Sequence, residues 1–297
     1  MGAKSMVEQP DTRTEQERGR DDLRANIHGM WGAVADGWAE HADDTDKRGA
    51  GEVEQLLELT APQPGERVLE LACGPGGAGI AAAPRVDPGG EVVMSDVVSE
   101  MTAIASARAA ELGLANVSTR ELDIEAIAEP DGSYDVVLCR HGLMFALDPA
   151  RAAHEIHRVL DPGGRLALGV WGPRERNPWL GIVLDAVSAQ IGAPVPPPGM
   201  PGPFALQDAD RLAVLLTEAG LQDVTVSELD VPMLADSFDD WWTRTTALAG
   251  PLSKMLAAMP PEAGEAIRER ARDAVAPYET AGGLEFPGVA LIASARA

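Results

Sequence analysis

The residues best suited to chemistry in this sequence form a glycine-rich stretch near position 75. A mainly apolar stretch, residues 67–73, leads directly into Gly74-Pro-Gly-Gly-Ala-Gly79, and Ile80 to Ala83 follow. Glycine has no side chain, so a ligand can approach the backbone N–H groups of such a turn closely. A helix that begins there adds unpaired N–H donors and the positive end of its dipole. The pattern therefore predicts a strand, a turn and a helix that together bind a nucleotide-like ligand.

Two acidic residues bear on the identity of that ligand. Residues 74–79 satisfy the G-x-G-x-x-G pattern of dinucleotide-binding proteins, and Asp96 follows at about the spacing of that pattern. Glu70 lies inside the predicted strand, where a purely structural strand favours an apolar side chain. A carboxylate at that position suits a cofactor with a cationic group such as an ammonium. From these residues alone, NAD and a cationic cofactor both remain open.

The stretch Glu70-Leu-Ala-Cys-Gly-Pro-Gly76 resembles the first motif of the class I S-adenosylmethionine (SAM)-dependent methyltransferases, acidic-x-Gly-x-Gly-x-Gly, with Ala72 in place of the first glycine. The turn Asp161-Pro-Gly-Gly164 is another recurrent feature of that family. The resemblance is strongest over residues 66–171 and points to the group that includes the ubiquinone/menaquinone methyltransferases and many natural-product enzymes. It implies an α/β fold, a doubly wound Rossmann-like seven-stranded sheet of order 3-2-1-4-5-7-6 with a helical cap.

The same resemblance assigns cofactor-binding roles to residues in or just after the first four predicted strands, which are 67–73, 91–95, 117–122 and 134–139. Asp96 is expected to accept the ribose hydroxyls, with Val97 and Met101 along the adenine face. Asp123 is expected to take the adenine amino group, and its neighbour Ile124 to cover the ring. Turn, helix-packing and surface roles are the alternatives for these residues. The full predicted SAM-binding set is Glu70, Ala72, Gly74, Gly76, Asp96, Val97, Met101, Asp123, Ile124 and Arg140.

The predicted acceptor side depends on one histidine and several tryptophans. His141 directly follows the fourth predicted strand, on the rim where the methyl acceptor must lie, and is the candidate general base. A polar rim residue without a catalytic role is the alternative. Trp38, Trp171 and Trp241 are the candidate acceptor contacts, although each can instead be part of a hydrophobic core. Methyl transfer depends mainly on alignment of the two reactants in an apolar pocket, and it needs a base only if the acceptor must lose a proton.

Composition restricts the partners. The chain has 297 residues with 47 acidic and 24 basic side chains, a net charge of −23, which disfavours binding to nucleic acid. No apolar run approaches the roughly 20 residues of a membrane span. Only two cysteines occur and no metal-ligand spacing is present, so neither a disulfide framework nor a metal site is expected. We expect a cytoplasmic protein, monomer or homodimer, that acts on a small-molecule acceptor.

The periodicity of the apolar residues and the positions of Gly and Pro divide the chain into five parts. Alternating strands and helices over the middle of the chain predict a parallel sheet. The predicted parts are a disordered tail (1–20), an N-terminal helical flap (21–60), the SAM-binding core (61–233), a helical cap insertion (234–283) and a last core strand (284–297). Two short helices are expected within 21–43, and another from Gly49 to Leu59.

The sequence thus favours a SAM-dependent methyltransferase for a small, partly apolar acceptor, with O, N or C as the methylated atom. Two alternatives stay open. One is an NAD-dependent oxidoreductase, supported by the glycine pattern and Asp96, which leaves Glu70 and Asp123 unexplained. The other is a methyltransferase-fold protein that uses its pocket for binding or for a non-transfer role.

Overall fold

Ten strands lie within residues 15–297, the part of the chain that the computed structural model describes. They are β1 (Arg67–Leu71), β2 (Glu91–Asp96), β3 (Val117–Glu121), β4 (Tyr134–Arg140), β5 (Leu160–Trp171), β6 (Gln222–Asp230), β7 (Met233–Ala235), β8 (Glu279–Thr280), β9 (Gly283–Phe286) and β10 (Val289–Arg296). Seven form one sheet of order β3-β2-β1-β4-β5-β10-β6. The first five strands pair in parallel and β10 pairs antiparallel with β5 and β6. The predicted order, with the last strand between the fifth and sixth, is confirmed.

The helices surround this sheet and extend beyond it. They are α1 (Glu15–Gly32), α2 (Ala35–Glu40), α3 (Ala42–Thr60), α4 (Gly77–Val86), α5 (Ser99–Glu111), α6 (Pro149–Val159), α7 (Pro178–Ile191), α8 (Ala209–Glu218), α9 (Phe238–Leu248), α10 (Gly250–Ala257) and α11 (Pro261–Ala274). Among the described residues, no helix is long and apolar enough to cross a bilayer. The central strands β1, β2 and β4 are buried along nearly their whole length, which explains their continuous apolar sequences.

The helix boundaries in the N-terminal flap differ from those predicted from the sequence. Residues 1–14 of the predicted disordered tail lie outside the described residues, while residues 15–20 form the start of α1. Helix α3 begins at Ala42 rather than at Gly49. Asp43 and Asp44 in its first turn interact favourably with the positive end of the helix dipole, which supports this earlier start.

A second sheet of three strands, β7-β9-β8, was not predicted. The last core strand was predicted over 284–297, but Leu284 and Phe286 pair with Ala235 and Met233 in this small sheet, and β10 begins only at Val289. Pro287 and Gly288 separate the two strands, and a side chain on Gly288 would collide with the carbonyl oxygen of Val231. The cap region therefore ends a few residues later than predicted.

The register of the parallel strands positions the ends of the central loops. Leu71 of β1 lies opposite Ser95 of β2 and opposite Cys139 of β4. The next positions, Ala72, Asp96 and Arg140, therefore emerge together at the carboxyl edge of the sheet. Strand register thus brings one position from each of the three strands into a single cluster of side chains and N–H groups.

The loops after β1 and β4 approach each other closely at this edge. Ala72 has a positive φ of 52°, a left-handed conformation that glycine adopts more readily. A Cβ atom added to Gly142 would collide with the Cβ atom of Ala72 and lie 3.0 Å from Cys139 Sγ. Gly142 is therefore required by packing, because its own φ of −95° suits any residue.

We predict that Gly142→Ala lowers the free energy of unfolding by about 1–3 kcal/mol, since it overpacks this contact. Adding Ala72→Gly should restore part of the loss, because it removes the clashing methyl group and the left-handed strain. Chemical denaturation of the single and double variants gives the coupling energy. Gly264→Ala is the matched control: no atom lies within 4 Å of its added Cβ, so it should stabilise α11 slightly. Additive effects of the two substitutions would contradict this account.

Candidate functional site

A cavity of about 290 Å³ opens at the carboxyl ends of the parallel strands. Its walls come from the core strands, from the flap and from the cap. The structure brings nearly all predicted site residues to this cavity: Glu70, Ala72, Gly74, Asp96, Val97, Met101, Asp123, Ile124, Arg140, His141, Trp38 and Trp171. The flap and cap also touch each other over it, since Trp38 Nε1 donates a hydrogen bond of 3.1 Å to the carbonyl of Leu248.

Two predicted site residues do not line the cavity. Gly76 directly precedes α4 with a φ of 88°, and a Cβ there would lie 2.8 Å from Met94 Sδ, so its role is backbone geometry. Trp241 is completely buried in the cap, where its indole N–H donates 3.0 Å to the carbonyl of Trp179 and its ring packs on Phe286. The prediction that Trp241 contacts the acceptor is therefore wrong, because packing of α9 against the small sheet turns this ring away from the cavity.

Glu70 holds the start of α4. Its Oε1 accepts a hydrogen bond from the Ala78 N–H at 3.2 Å, and its Oε2 accepts one from the Gly79 N–H at 2.8 Å. A side chain on Gly79 would lie 2.6 Å from Glu70 Oε2, so glycine is needed for this approach. Burial raises the pKa of Glu70 to about 7, although the two N–H groups and Arg140 favour the ionised form. The carboxylate thus orients the turn and contributes negative potential to the cavity wall.

Asp96 performs the equivalent task at the end of β2. Its Oδ2 accepts a hydrogen bond of 2.9 Å from the Gly74 N–H, and its Oδ1 accepts one of 3.3 Å from the Val98 N–H. Burial raises the pKa of Asp96, and the backbone N–H groups oppose that effect. A carboxylate has about four acceptor positions, so Asp96 retains acceptor capacity toward the cavity. It is therefore held rigidly and can still accept two neighbouring hydroxyl groups.

The flap contributes a basic residue to the cavity wall. Arg24 of α1 forms ion pairs with Asp123, at 3.1 Å, and with Glu125, at 2.7 Å. Asp123 Oδ1 also accepts a hydrogen bond from the Glu125 N–H at 2.8 Å. A ligand that bonds to Asp123 must share its carboxylate with these partners. Arg24 was not predicted as a site residue, and it ties the flap directly to the loop after β3.

His141 forms a pair with a residue that sequence analysis missed. Its Nε2 lies 3.0 Å from Oε2 of Glu52, a buried carboxylate on α3. Burial raises the pKa of Glu52, but attraction to His141, the hydrogen bond between them and the nearby Arg140 and Arg48 outweigh this and lower it. Glu52 is therefore ionised near neutral pH and accepts a hydrogen bond from the Nε2–H group of His141.

The remaining contacts fix the imidazole ring in place. It stacks on Trp171 with a centroid distance of 4.0 Å and an interplanar angle of 14°. The His141 backbone has a φ of 59°, which is uncommon for a side chain of this size and occurs often at functional sites. Within residues 15–297, His141 Nδ1 is buried and has no hydrogen-bond partner.

The space around the glycine turn fits a nucleoside cofactor. A Cβ on Gly74 would meet a single atom within 4 Å, Cε3 of Trp38 at 4.0 Å, so the surface of the turn is open to a ligand. Asp96 supplies a fixed anionic acceptor beside it, and Val97, Met101 and Ile124 supply apolar surface. This combination of an anionic acceptor and apolar surface suits a ribose and an adenine better than it suits a metal ion or an anion.

Comparison with known proteins gives consistent matches. A family model described as a methyltransferase domain matches residues 68–164. The chain is 33% identical over 205 residues to nocamycin O-methyltransferase of Saccharothrix syringae, an alignment that covers 65% of this chain and 73% of that one. It is 36% identical over 133 residues to the ubiquinone/menaquinone biosynthesis C-methyltransferase UbiE of Ectopseudomonas mendocina, covering 44% of this chain and 52% of that one.

The fold has counterparts among solved structures as well. The crystal structure of the YcgJ protein of Bacillus subtilis aligns with a TM-score of 0.59 and 20% identity, covering 83% of this chain and 98% of that one. At this identity the similarity establishes the fold alone.

We predict that Asp96→Ala weakens binding of S-adenosylhomocysteine about 10- to 100-fold, because the ribose hydroxyls lose a charged acceptor. Ser95→Ala is the matched control: Ser95 is the preceding buried residue, and its hydroxyl bonds to the Glu70 carbonyl at 2.8 Å on the other face of β2. Titration calorimetry on both variants decides the question. Equal losses of affinity would mean that Asp96 acts only through strand stability.

A second prediction concerns the pH dependence of stability. The folded-state pKa of Glu70, about 7, lies above its ordinary value of 4.5, so the folded state binds the proton more tightly than the unfolded state. The free energy of unfolding should therefore fall as pH rises from about 4.5 to about 7, by on the order of 3 kcal/mol from this group. Urea unfolding from pH 5.5 to 8 should show a smaller decline in Glu70→Gln than in the unaltered protein.

Glu58→Gln, at an exposed position of α3, is the control for that experiment and should leave the decline unchanged. An identical pH dependence in Glu70→Gln and the unaltered protein would contradict the assignment.

Proposed function

Since the chain belongs to the class I SAM-dependent methyltransferases, we propose that it transfers a methyl group from SAM to a small, partly apolar acceptor held beside His141. The observation that carries this proposal is the convergence of the glycine turn, Asp96 and the His141–Glu52 pair on one cavity. SAM supplies a methyl carbon that its sulfonium sulfur already activates. The chain's own residues must bind the two reactants, align them and exclude water.

The two halves of the cavity correspond to the two reactants. In the cofactor half, Asp96 accepts the ribose hydroxyls, and Val97, Met101 and Ile124 surround the adenine. Arg140 belongs to this half as well, since its Nη2 lies 3.5 Å from the position of a Cβ on Gly77, at the start of α4. Its guanidinium is then a partner for the carboxylate of the methionine part.

In the acceptor half, the walls are mainly aromatic and aliphatic. They comprise Trp171, Trp179, Leu180, Leu184, Leu248, Leu252 and Met255. Charge is dispersed during methyl transfer, so an apolar surrounding favours the transition state over the separated ions and keeps water from the reactive carbon. The cap supplies several of these side chains, which ties acceptor binding to the flap–cap contact.

His141 acts as the general base in this proposal. Because ionised Glu52 accepts a hydrogen bond from Nε2–H, the neutral ring has its lone pair on Nδ1. As the bond from the methyl carbon to the acceptor atom forms and the carbon–sulfur bond breaks, His141 would take the acceptor's proton at Nδ1. That atom has no accessible surface in the structure, so the ring would have to turn toward the acceptor when the reactants bind. Glu52 then stabilises the resulting imidazolium, and stacking on Trp171 keeps the ring aligned.

The names of the relatives fit an acceptor that must lose a proton. One is an O-methyltransferase and the other a C-methyltransferase. A hydroxyl group and an activated C–H group both release a proton on methylation, whereas a group without such a proton needs no base. We therefore expect an acidic O–H or C–H group on the acceptor.

Family membership favours SAM over NAD, so the oxidoreductase alternative loses its support. A binding or non-transfer role on the same fold is the remaining second candidate. The His141–Glu52 pair favours transfer, because a pocket that only binds a ligand has no need for a buried carboxylate that fixes an imidazole tautomer.

We predict that His141→Asn and Glu52→Gln each reduce kcat at least about 100-fold and leave the affinity for S-adenosylhomocysteine within about twofold. Asparagine is chosen because it tolerates the positive φ of position 141. The assay uses SAM with a trideuterated methyl group and detects labelled products in a small-molecule extract by mass spectrometry. His154→Asn, on the exposed face of α6, is the control and should retain full activity.

A loss below tenfold in His141→Asn, with an unchanged pH profile, would mean that alignment alone drives transfer. If SAM binds and no labelled product forms with any extract, the non-transfer role becomes the better account.

A further inference from the structure

Arg48 is a cation held deep in the acceptor half of the cavity. It projects from α3 into the corner between two tryptophans, with Cζ 5.0 Å from the Trp179 ring centroid and 5.7 Å from that of Trp171. Its Nη1 lies 3.2 Å from Met233 Sδ. Arg48 is partly exposed and lines the cavity. Among residues 15–297, no carboxylate oxygen lies within ion-pair distance of this guanidinium, and its contacts are with two rings and a sulfur atom.

These partners compensate only part of the cost of burying the charge. Contacts with the faces of aromatic rings favour the cation modestly, while a buried charge without a counter-ion is strongly disfavoured. Burial lowers the pKa of Arg48 to about 10, and the nearby Arg140 adds to this effect. Glu52, one helical turn further along α3, raises it, but the Glu52 carboxylate is already bonded to His141. The site therefore has the chemistry of an anion receptor.

The other charges around the cavity are arranged so that this receptor is separate from the cofactor. The acidic side chains Glu70, Asp96, Asp123 and Glu125 belong to the cofactor half. Asp44, which also reaches the cavity, is exposed on α3. Of the two other arginines near Arg48, Arg244 is paired with Asp240 at 2.6 Å, and Arg140 lies beside the start of α4. Arg48 is thus the cation that faces the acceptor.

We propose that Arg48 binds a carboxylate on the methyl acceptor, and that the acceptor is a flat, largely apolar carboxylic acid. This inference rests on the proposed function and specifies its substrate class. The planar guanidinium matches a carboxylate with two parallel hydrogen bonds. Trp171 and Trp179 offer ring faces to the apolar part of the molecule. Because Trp171 contacts both Arg48 and His141, an acceptor anchored at Arg48 is held beside the imidazole.

The test uses three acid and amide pairs of increasing ring size: benzoate, 2-naphthoate and anthracene-2-carboxylate, each against its primary amide. Each probe is titrated into protein saturated with S-adenosylhomocysteine, and binding is followed by tryptophan fluorescence and calorimetry. We expect at least one acid to bind about 10- to 100-fold more tightly than its amide, as an ionic hydrogen bond predicts. Arg48→Met, which removes the charge and keeps an unbranched side chain, should abolish that preference.

Two further variants and one further affinity measurement complete the test. Arg48→Lys, which retains the charge and loses the planar fork, should retain an intermediate preference. Arg176→Met, at an exposed position where Arg176 pairs with Glu228, is the control and should bind every probe as the unaltered protein does. The affinity for S-adenosylhomocysteine is measured for every variant in the same series.

The proposal is overturned if acids and amides bind equally, if no acid binds, or if Arg48→Met keeps the preference. It is also overturned if Arg48→Met instead weakens S-adenosylhomocysteine, since Arg48 would then serve the cofactor's own carboxylate. Failure of the unaltered protein to bind S-adenosylhomocysteine is a different result, because it rejects the proposed function itself.

Discussion

Parallel pairing of β1 with β2 and β4 is the constraint on which the site depends. Because Leu71 faces both Ser95 and Cys139, the residues that follow each of these strands emerge at one edge. There the Asp96 carboxylate meets the Gly74 N–H at 2.9 Å, and Gly142 lies against Ala72. A shift of register by one residue would send each of these side chains to the opposite face of the sheet. The chemistry of the cavity is thus a consequence of strand register.

The flap and the cap complete what the sheet begins. Helix α3 supplies both Glu52 and Arg48, so one helix supports the proposed base and carries the proposed anchor for the acceptor. Gly169 of β5 makes room for Glu52, because a side chain there would collide with Oε1 of that residue. The Trp38–Leu248 hydrogen bond then joins the flap to α9 of the cap. An acidic protein in this way encloses a small region of positive charge within an apolar pocket.

Local patterns predicted the sheet, and most residues proposed for the cofactor half line one cavity. A glycine turn and an aspartate at a strand end can be recognised within a few residues of sequence. Contacts between distant segments were not predictable in the same way. Glu52 and His141 are 89 positions apart, and helical periodicity shows that Glu52 lies on a helix without showing which strand end it faces. The prediction for Trp241 was wrong for a related reason. Its aromatic character suggested a ligand contact, and only the packing of α9 shows that it belongs to the core.

We propose that the glycine turn and Asp96 form a SAM site rather than a dinucleotide site. Titration calorimetry of the unaltered protein with SAM and NAD, side by side at one pH and temperature, distinguishes the two. We expect binding of SAM with a dissociation constant on the order of micromolar and NAD binding at least about 100-fold weaker, a difference of about 2.7 kcal/mol. Tight binding of NAD with none of SAM would contradict it.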